Sequence, residues 1–141
     1  MGLSEFIRLC NRRLSVLRPS ASTGLIEIVA DGGGTAITVG TVVYLPFPKM
    51  GATILAWAMI GDNAAGSTVI DIWNAAYPTI PTVANTITAS AKPTVSAAQV
   101  GMNEQLPGWT KNIAQGNVLA FSVESNALNT RVTLALAIRR V

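Results

Sequence analysis

Near residue 20 a hydrophobic period of three to four residues gives way to short segments that alternate every second residue, and this switch constrains the fold most. Before it, Leu3, Phe6, Ile7, Cys10, Leu14 and Leu17 recur at helical spacing, with Arg8 and Arg12 turned away from the stripe. Arg8, Arg12, Arg13 and Arg18 face a single acid, Glu5, and Pro19 stops the pattern. Six bases and six acids follow from Pro19 onward, so the net charge of +3 belongs to the leader. Residues 1–20 therefore read as a basic amphipathic arm or helix. A helix of that length is marginal alone in water, and its stripe needs a surface to cover.

Residues 21–141 read as one β-domain. Gly24–Ala30 has strand character and ends at Asp31 and three glycines, Gly32, Gly33 and Gly34. An extended segment runs from about Thr35 to Phe47 with a break at Gly40. Ala52–Ile60 and Ser67–Trp73 form a pair across a turn from Gly61 to Gly66. Within the second of these, Asp71 faces away from Ile70 and Ile72, as a surface or edge charge would. Residues 76–93 are broken by prolines, with a short strand expected near Ile87. Ser96–Asn103 reads as one helical turn or a polar crossing. Asn117–Glu124 alternates, and Val132, Leu134, Leu136 and Ile138 share one face of a last strand. About seven or eight short antiparallel strands with uneven connections indicate an all-β, jelly-roll-like sandwich.

Charged residues make up 12% of the chain, against roughly 25% in ordinary soluble domains. So little charge fits a domain whose sides are covered by copies of itself or by a larger assembly, most simply in a closed ring. Cys10 is the single cysteine, which excludes an intrachain disulfide and suggests a buried free thiol. No apolar run approaches the roughly 20 residues that cross a membrane as a helix. The leader's arginines also make it a poor secretory signal.

The residue inventory argues against catalysis. With no histidine, Ser-His-acid and Cys-His chemistry and histidine zinc sites are excluded. The body's acids are Glu27, Asp31, Asp62, Asp71, Glu104 and Glu124, and nothing in their spacing singles out a working pair. The three glycines lack the Lys-Ser/Thr ending of a phosphate loop, so a turn starting at Asp31 is expected there. Asp31 and Asp62 lack the repeated oxygen ligands of a calcium loop. No catalytic residue, metal or cofactor is assigned. Nucleic acid is disfavoured as a partner, because four leader arginines give only a weak, salt-dependent contact with no aromatic platform beside them. Trp57 and Trp73 read as packing residues. Trp109 is the tryptophan most exposed by context and the candidate glycan contact.

One set of segments is similar to the small jelly-roll β-sandwich domains of tailed-bacteriophage structural proteins. It comprises the glycine-rich turn with Thr41–Phe47, Thr68–Ala75, Ile87–Gln99, Leu106–Thr110, Ile113–Ser125 and Arg131–Leu136. The resemblance covers about Leu25 to Arg140, and Asp71–Trp73, Ser90–Pro93 and Gly108–Trp109 are its most specific blocks. It implies a virion protein that works as a homotrimer or another oligomer, and it brings no catalytic residues. A short arm on one domain suits a capsid decoration or cement protein bracing neighbouring capsomers. Its partners would be its own copies and the major capsid protein or another virion protein. The anchor would be Leu3, Phe6, Ile7, Arg8, Cys10, Arg12, Arg13, Leu14, Leu17 and Arg18. The alternative is a host- or glycan-binding head-fibre or tail-fibre module. It would use the loops around Gly61–Gly66 and Gly101–Trp109 at one end of the sandwich, with Trp109 against a sugar. A membrane partner is not expected.

Overall fold

Large apolar side chains occupy every second position of Leu119–Val123 and Val132–Ile138, and an extended chain turns each set to a single face. A computed structural model describes residues 23–47 and 50–141, and in it both segments are strands whose apolar faces meet in one core. The leader, with its expected helix, its anchoring residues and the arm–domain boundary, lies outside the described residues.

Among the described residues nine strands follow in order: β1 (Thr23–Asp31), β2 (Val42–Phe47), β3 (Ala52–Gly61), β4 (Ser67–Ala76), β5 (Thr94–Ser96), β6 (Val100–Asn103), β7 (Asn112–Ile113), β8 (Asn117–Ala127) and β9 (Arg131–Arg140). Sheet one has the order β1-β9-β3-β6, with the short β7 pairing the start of β3. Sheet two has the order β2-β8-β4-β5. Every pairing between these strands is antiparallel. The chain changes sheet at every connection except β4–β5 and β6–β7, which is the jelly-roll pattern expected from the sequence. Sheet one contributes Ile26, Ile28, Ile54, Trp57, Met59, Val132, Leu134, Leu136 and Ile138 to the core. Sheet two contributes Ile70, Ile72, Leu119, Phe121 and Val123. Each such side chain stabilises the fold by roughly 1.5–3 kcal/mol at most, and together they fix which face of each strand turns inward.

The structure differs from the sequence expectation in four places. β3 and β4, expected as a pair across the 61–66 turn, lie in different sheets. Of Thr35–Phe47 only Val42–Phe47 is strand. The preceding loop is fastened by Ile37 N–H to the Asn129 carbonyl at 3.0 Å and by Gly40 N–H to the Val123 carbonyl at 2.9 Å. Ser96–Asn103 holds no helical turn but the end of β5 and all of β6. Near Ile87 there is a single bridge, Thr86 to Trp73, preceded by a 3-10 turn at Val83–Asn85.

Two β-bulges bend the sheets. One in β3 inserts Leu55 between Ile54 and Ala56, which pair Ile138 and Ala137. The other inserts Glu124 between Val123 and Ser125, opposite Ile70 and Val69. A bulge re-aims the extra side chain. In β8 it places Glu124 where it meets Lys92 at 2.6 Å.

Candidate functional site

The two outer faces of the sandwich contrast, and the sequence explains why. On sheet two, β8 presents Val118, Ala120 and Ser122, which are small and buried. In register, Ala120 sits between Tyr44 of β2 and Trp73 of β4, while Ser122 sits between Val42 and Asp71. Bulky neighbours on both sides close over the small middle strand.

Sheet one is built the other way. Its outer positions form three registered rows: Leu25–Ala137–Ala56, then Glu27–Ala135–Ala58–Met102, then Val29–Thr133–Ile60–Val100. Leu25 is 67% exposed, Ile60 58%, Val100 66% and Met102 64%, so this face is open and apolar. Arg139 extends the pattern between Thr23 and Thr53. Four charged residues lie on this face: Asp31 and Arg131 pair with each other at its far end, at 3.0 Å, whereas Glu27 and Arg139 make no ion pair among the described residues. Contiguous exposed apolar surface on this scale marks interaction sites more often than chance exposure does.

Asp71 has an environment of its own. Its side chain does turn away from Ile70 and Ile72, but it is 2% exposed, so it is not the surface charge expected from the sequence. The free edge of β4 explains the burial. Ile70 N–H donates to the Pro93 carbonyl and Ile72 C=O accepts from Ile87, which leaves the Ile72 N–H between them. Asp71 Oδ1 accepts that N–H at 2.8 Å, together with the hydroxyls of Thr86 at 2.6 Å and Thr88 at 2.7 Å. Oδ2 accepts Trp73 Nε1–H at 2.9 Å and lies 3.9 Å from Lys92 Nζ. Burial pushes the carboxyl upward, but the hydrogen bonds from Thr86, Thr88 and Trp73 and the Lys92 charge outweigh it and hold the group below its ordinary value. This buried carboxylate fastens the 86–93 crossing to the sheet.

Asp31 and Asp62 serve turns. Asp31 accepts Gly33 N–H at 2.7 Å and meets Arg131 at 3.0 Å, and Asp62 accepts the backbone and hydroxyl of Thr130. Their hydrogen bonds, to Gly33 and to Thr130 respectively, lower both carboxyls. Among the described residues no three His, Cys, Asp or Glu side chains converge as metal ligands would. A mostly apolar cleft of about 500 Å³ opens between β1 and β2, lined by Leu25, Ile26, Glu27, Leu45, Phe47 and Met50. It lacks the convergent polar groups that orient a small-molecule substrate.

The expected glycan surface does not assemble. Trp109 is 7% exposed, belongs to the core cluster and donates its indole N–H to the Ala91 carbonyl at 2.8 Å. Trp73, not Trp109, is the most exposed of the three tryptophans. The two loops expected to act together are also apart. Val100 lies opposite Ile60 and Asn103 opposite Trp57, so the chain after Asn103 runs away from the 61–66 turn. That turn is tied instead to the β8–β9 turn. Asn129, fully buried, accepts Asn63 N–H at 3.1 Å, donates to Thr68 Oγ1 at 2.8 Å and packs directly on Gly61 and Gly66.

No protein-family model matches the chain, and no curated protein matches it. Among solved structures it is similar to RmlC from Streptococcus suis in complex with dTDP-D-xylose, at 10% identity and a TM-score of 0.33, covering 92% of this chain and 52% of that one. It is similar to the nora virus structure at 13% identity and a TM-score of 0.37, covering 85% of this chain and 56% of that one. For infectious bursal disease virus, Gx strain, the values are 13% and 0.30, with coverage of 84% and 37%. The chain spans about half the length of the first two. None of these three is a tailed-phage protein.

Proposed function

We propose that this chain is a structural subunit of a bacteriophage virion, a capsid decoration or cement protein that braces neighbouring capsomers by burying surface. The observation that carries the reading is the open apolar face of sheet one, set in a chain with 12% charged residues. Such a face is costly in water and rewards coverage at roughly 25 cal/mol for each Å² of apolar area removed from solvent. The resemblance of Thr68–Ala75, Ile87–Gln99 and Arg131–Leu136 to phage β-sandwich domains supplies the virion setting. The proposal includes no catalytic step. It gives the basic leader, Leu3 to Arg18, the role of anchor against the major capsid protein or another virion protein, and it expects self-association, as a homotrimer in the simplest case. The adhesin alternative has lost its specific support, since Trp109 lies in the core and the two loops lie apart.

Cryo-electron microscopy of purified particles containing the chain tests the reading. Copies arrayed over the shell, with leaders seated between capsomers, are expected. A few copies confined to a vertex or tail would overturn the decoration role.

A further inference from the structure

We infer that the outer face of sheet one is a self-complementary interface with a second copy of this chain, locked by reciprocal Glu27–Arg139 pairs. The inference rests on the assembly reading above and names the partner of its apolar face.

Charge comes first. Glu27 projects from β1 opposite Ala135, and Arg139 projects from β9 opposite Thr23, on the same face. Arg139 lies four positions beyond Ala135 on β9, so the two charges stand about 13 Å apart along the strands and about 4.8 Å apart across them. That distance is too long for a pair within one copy, and none forms. A second copy laid face to face about a two-fold axis midway between them brings each Glu27 over the partner's Arg139. The contact is isologous, so one pair implies the other.

Shape agrees with charge. That axis crosses the strands of the two copies at roughly 40°, close to the roughly 30° of aligned sheet packing. It runs over the row Leu25–Ala137–Ala56, so Leu25 and Ala137 meet their own counterparts, and Ala56 meets Ala58. Alanines at the centre let the sheets approach closely, while Met102 on the far flank lies beside its own copy. The face measures about 20 Å by 25 Å, so the pair buries on the order of 1,000 Å² in total, the lower bound for a specific interface. The outer face of sheet two, already closed by Tyr44 and Trp73 around Ala120, offers no such surface. A two-fold contact here leaves the sheet edges for any threefold grouping.

The test uses the purified full chain in sedimentation velocity, with circular dichroism to confirm folding. The wild type is expected to dimerise in the micromolar range. Glu27→Arg and Arg139→Glu should each weaken the dimer about tenfold or more, because each sets like charges against each other across the axis. The double reversal should restore it, because opposite charges then face one another again with their positions exchanged. Ala58→Glu should abolish it. A wild type that stays monomeric at about 100 µM overturns the inference. So does a dimer indifferent to Ala58→Glu, or single reversals that the double variant fails to rescue. Particle imaging separates this from the parent proposal. Arrayed copies without a solution dimer sink the pairing alone, whereas a dimer absent from particles sinks the virion role alone.

Discussion

The hydroxyl of Thr88 donates to Asp71 Oδ1 at 2.7 Å, joining two residues seventeen positions apart, and both are essentially closed to solvent. With Thr86 and Trp73 donating to the same carboxylate, the pairing holds the proline-rich crossing against the edge of β4. Its energetic weight comes from burial, because an acceptor or donor left unsatisfied there loses water as well as its partner.

Asp71→Ala is therefore expected to destabilise the domain by about 3–5 kcal/mol, since it leaves the Ile72 N–H, two hydroxyls and the Trp73 indole N–H without their acceptor. Asp71→Asn should cost about 2–3 kcal/mol, because its amide N–H₂ meets the Trp73 donor head-on. Urea unfolding followed by tryptophan fluorescence reads both. A loss under 1 kcal/mol for the alanine variant would mean that the carboxylate is dispensable.

Acid should act through the same group. The Asp71 pKa is lowered below 3.8 in the folded chain, so its contribution is fully present above that value and is lost as pH falls through the folded pKa. Asp31 and Asp62 shift in the same direction. The urea midpoint is expected to be level from about pH 7 to pH 5 and to drop below about pH 4. In Asp71→Asn the drop should be shallower; an unchanged acid limb would exclude Asp71 as its source.

Gly66→Ala should cost about 1–3 kcal/mol by overpacking, because a Cβ there would stand 2.5 Å from Asn129 Oδ1. Combining it with Asn129→Ala, which removes the obstructing amide, should cost less than the two losses summed, by about 0.5 kcal/mol or more. Strict additivity in that double-mutant cycle would show that the two residues do not press on each other.

Trp109→Phe keeps most of the ring but strands the Ala91 carbonyl, and a loss of about 1–3 kcal/mol is expected in thermal or urea unfolding. Trp109→Ala should cost about 3–5 kcal/mol through the cavity it opens. A neutral alanine variant would place the ring outside the working core.

Much of the sandwich was legible because long strands carry a period. Val132, Leu134, Leu136 and Ile138 announce their shared face, and the 61–66 turn announces the reversal between β3 and β4. The short strands were not legible. β5 and β7, three and two residues long, are held by their neighbours and have too few positions to alternate. Val100 and Met102 alternate only once, so nothing in the chain marks them as an outward row until β3 stands beside them. Alternation puts Asp71 on the correct side of its strand, but its burial depends on Thr86, Thr88 and Lys92, whose approach is a tertiary event. The Gly108–Trp109 turn suggests exposure, and the Ala91 carbonyl that draws the indole inward lies eighteen residues earlier. The open face of sheet one could have been suspected from Ala56, Ala58, Ala135 and Ala137, small residues on outward positions of central strands. Small size alone, though, says only that a second layer could approach there.

The pairing of Thr23 with Arg139 joins the two ends of the sandwich as neighbours on adjacent strands. Chain leaving β1 backward and chain leaving β9 forward emerge from one corner, about 5 Å apart. The domain is thus a cassette: joined immediately before Thr23 and after Arg140, it could be carried as an insertion in a surface loop of a host protein without stretching either connection.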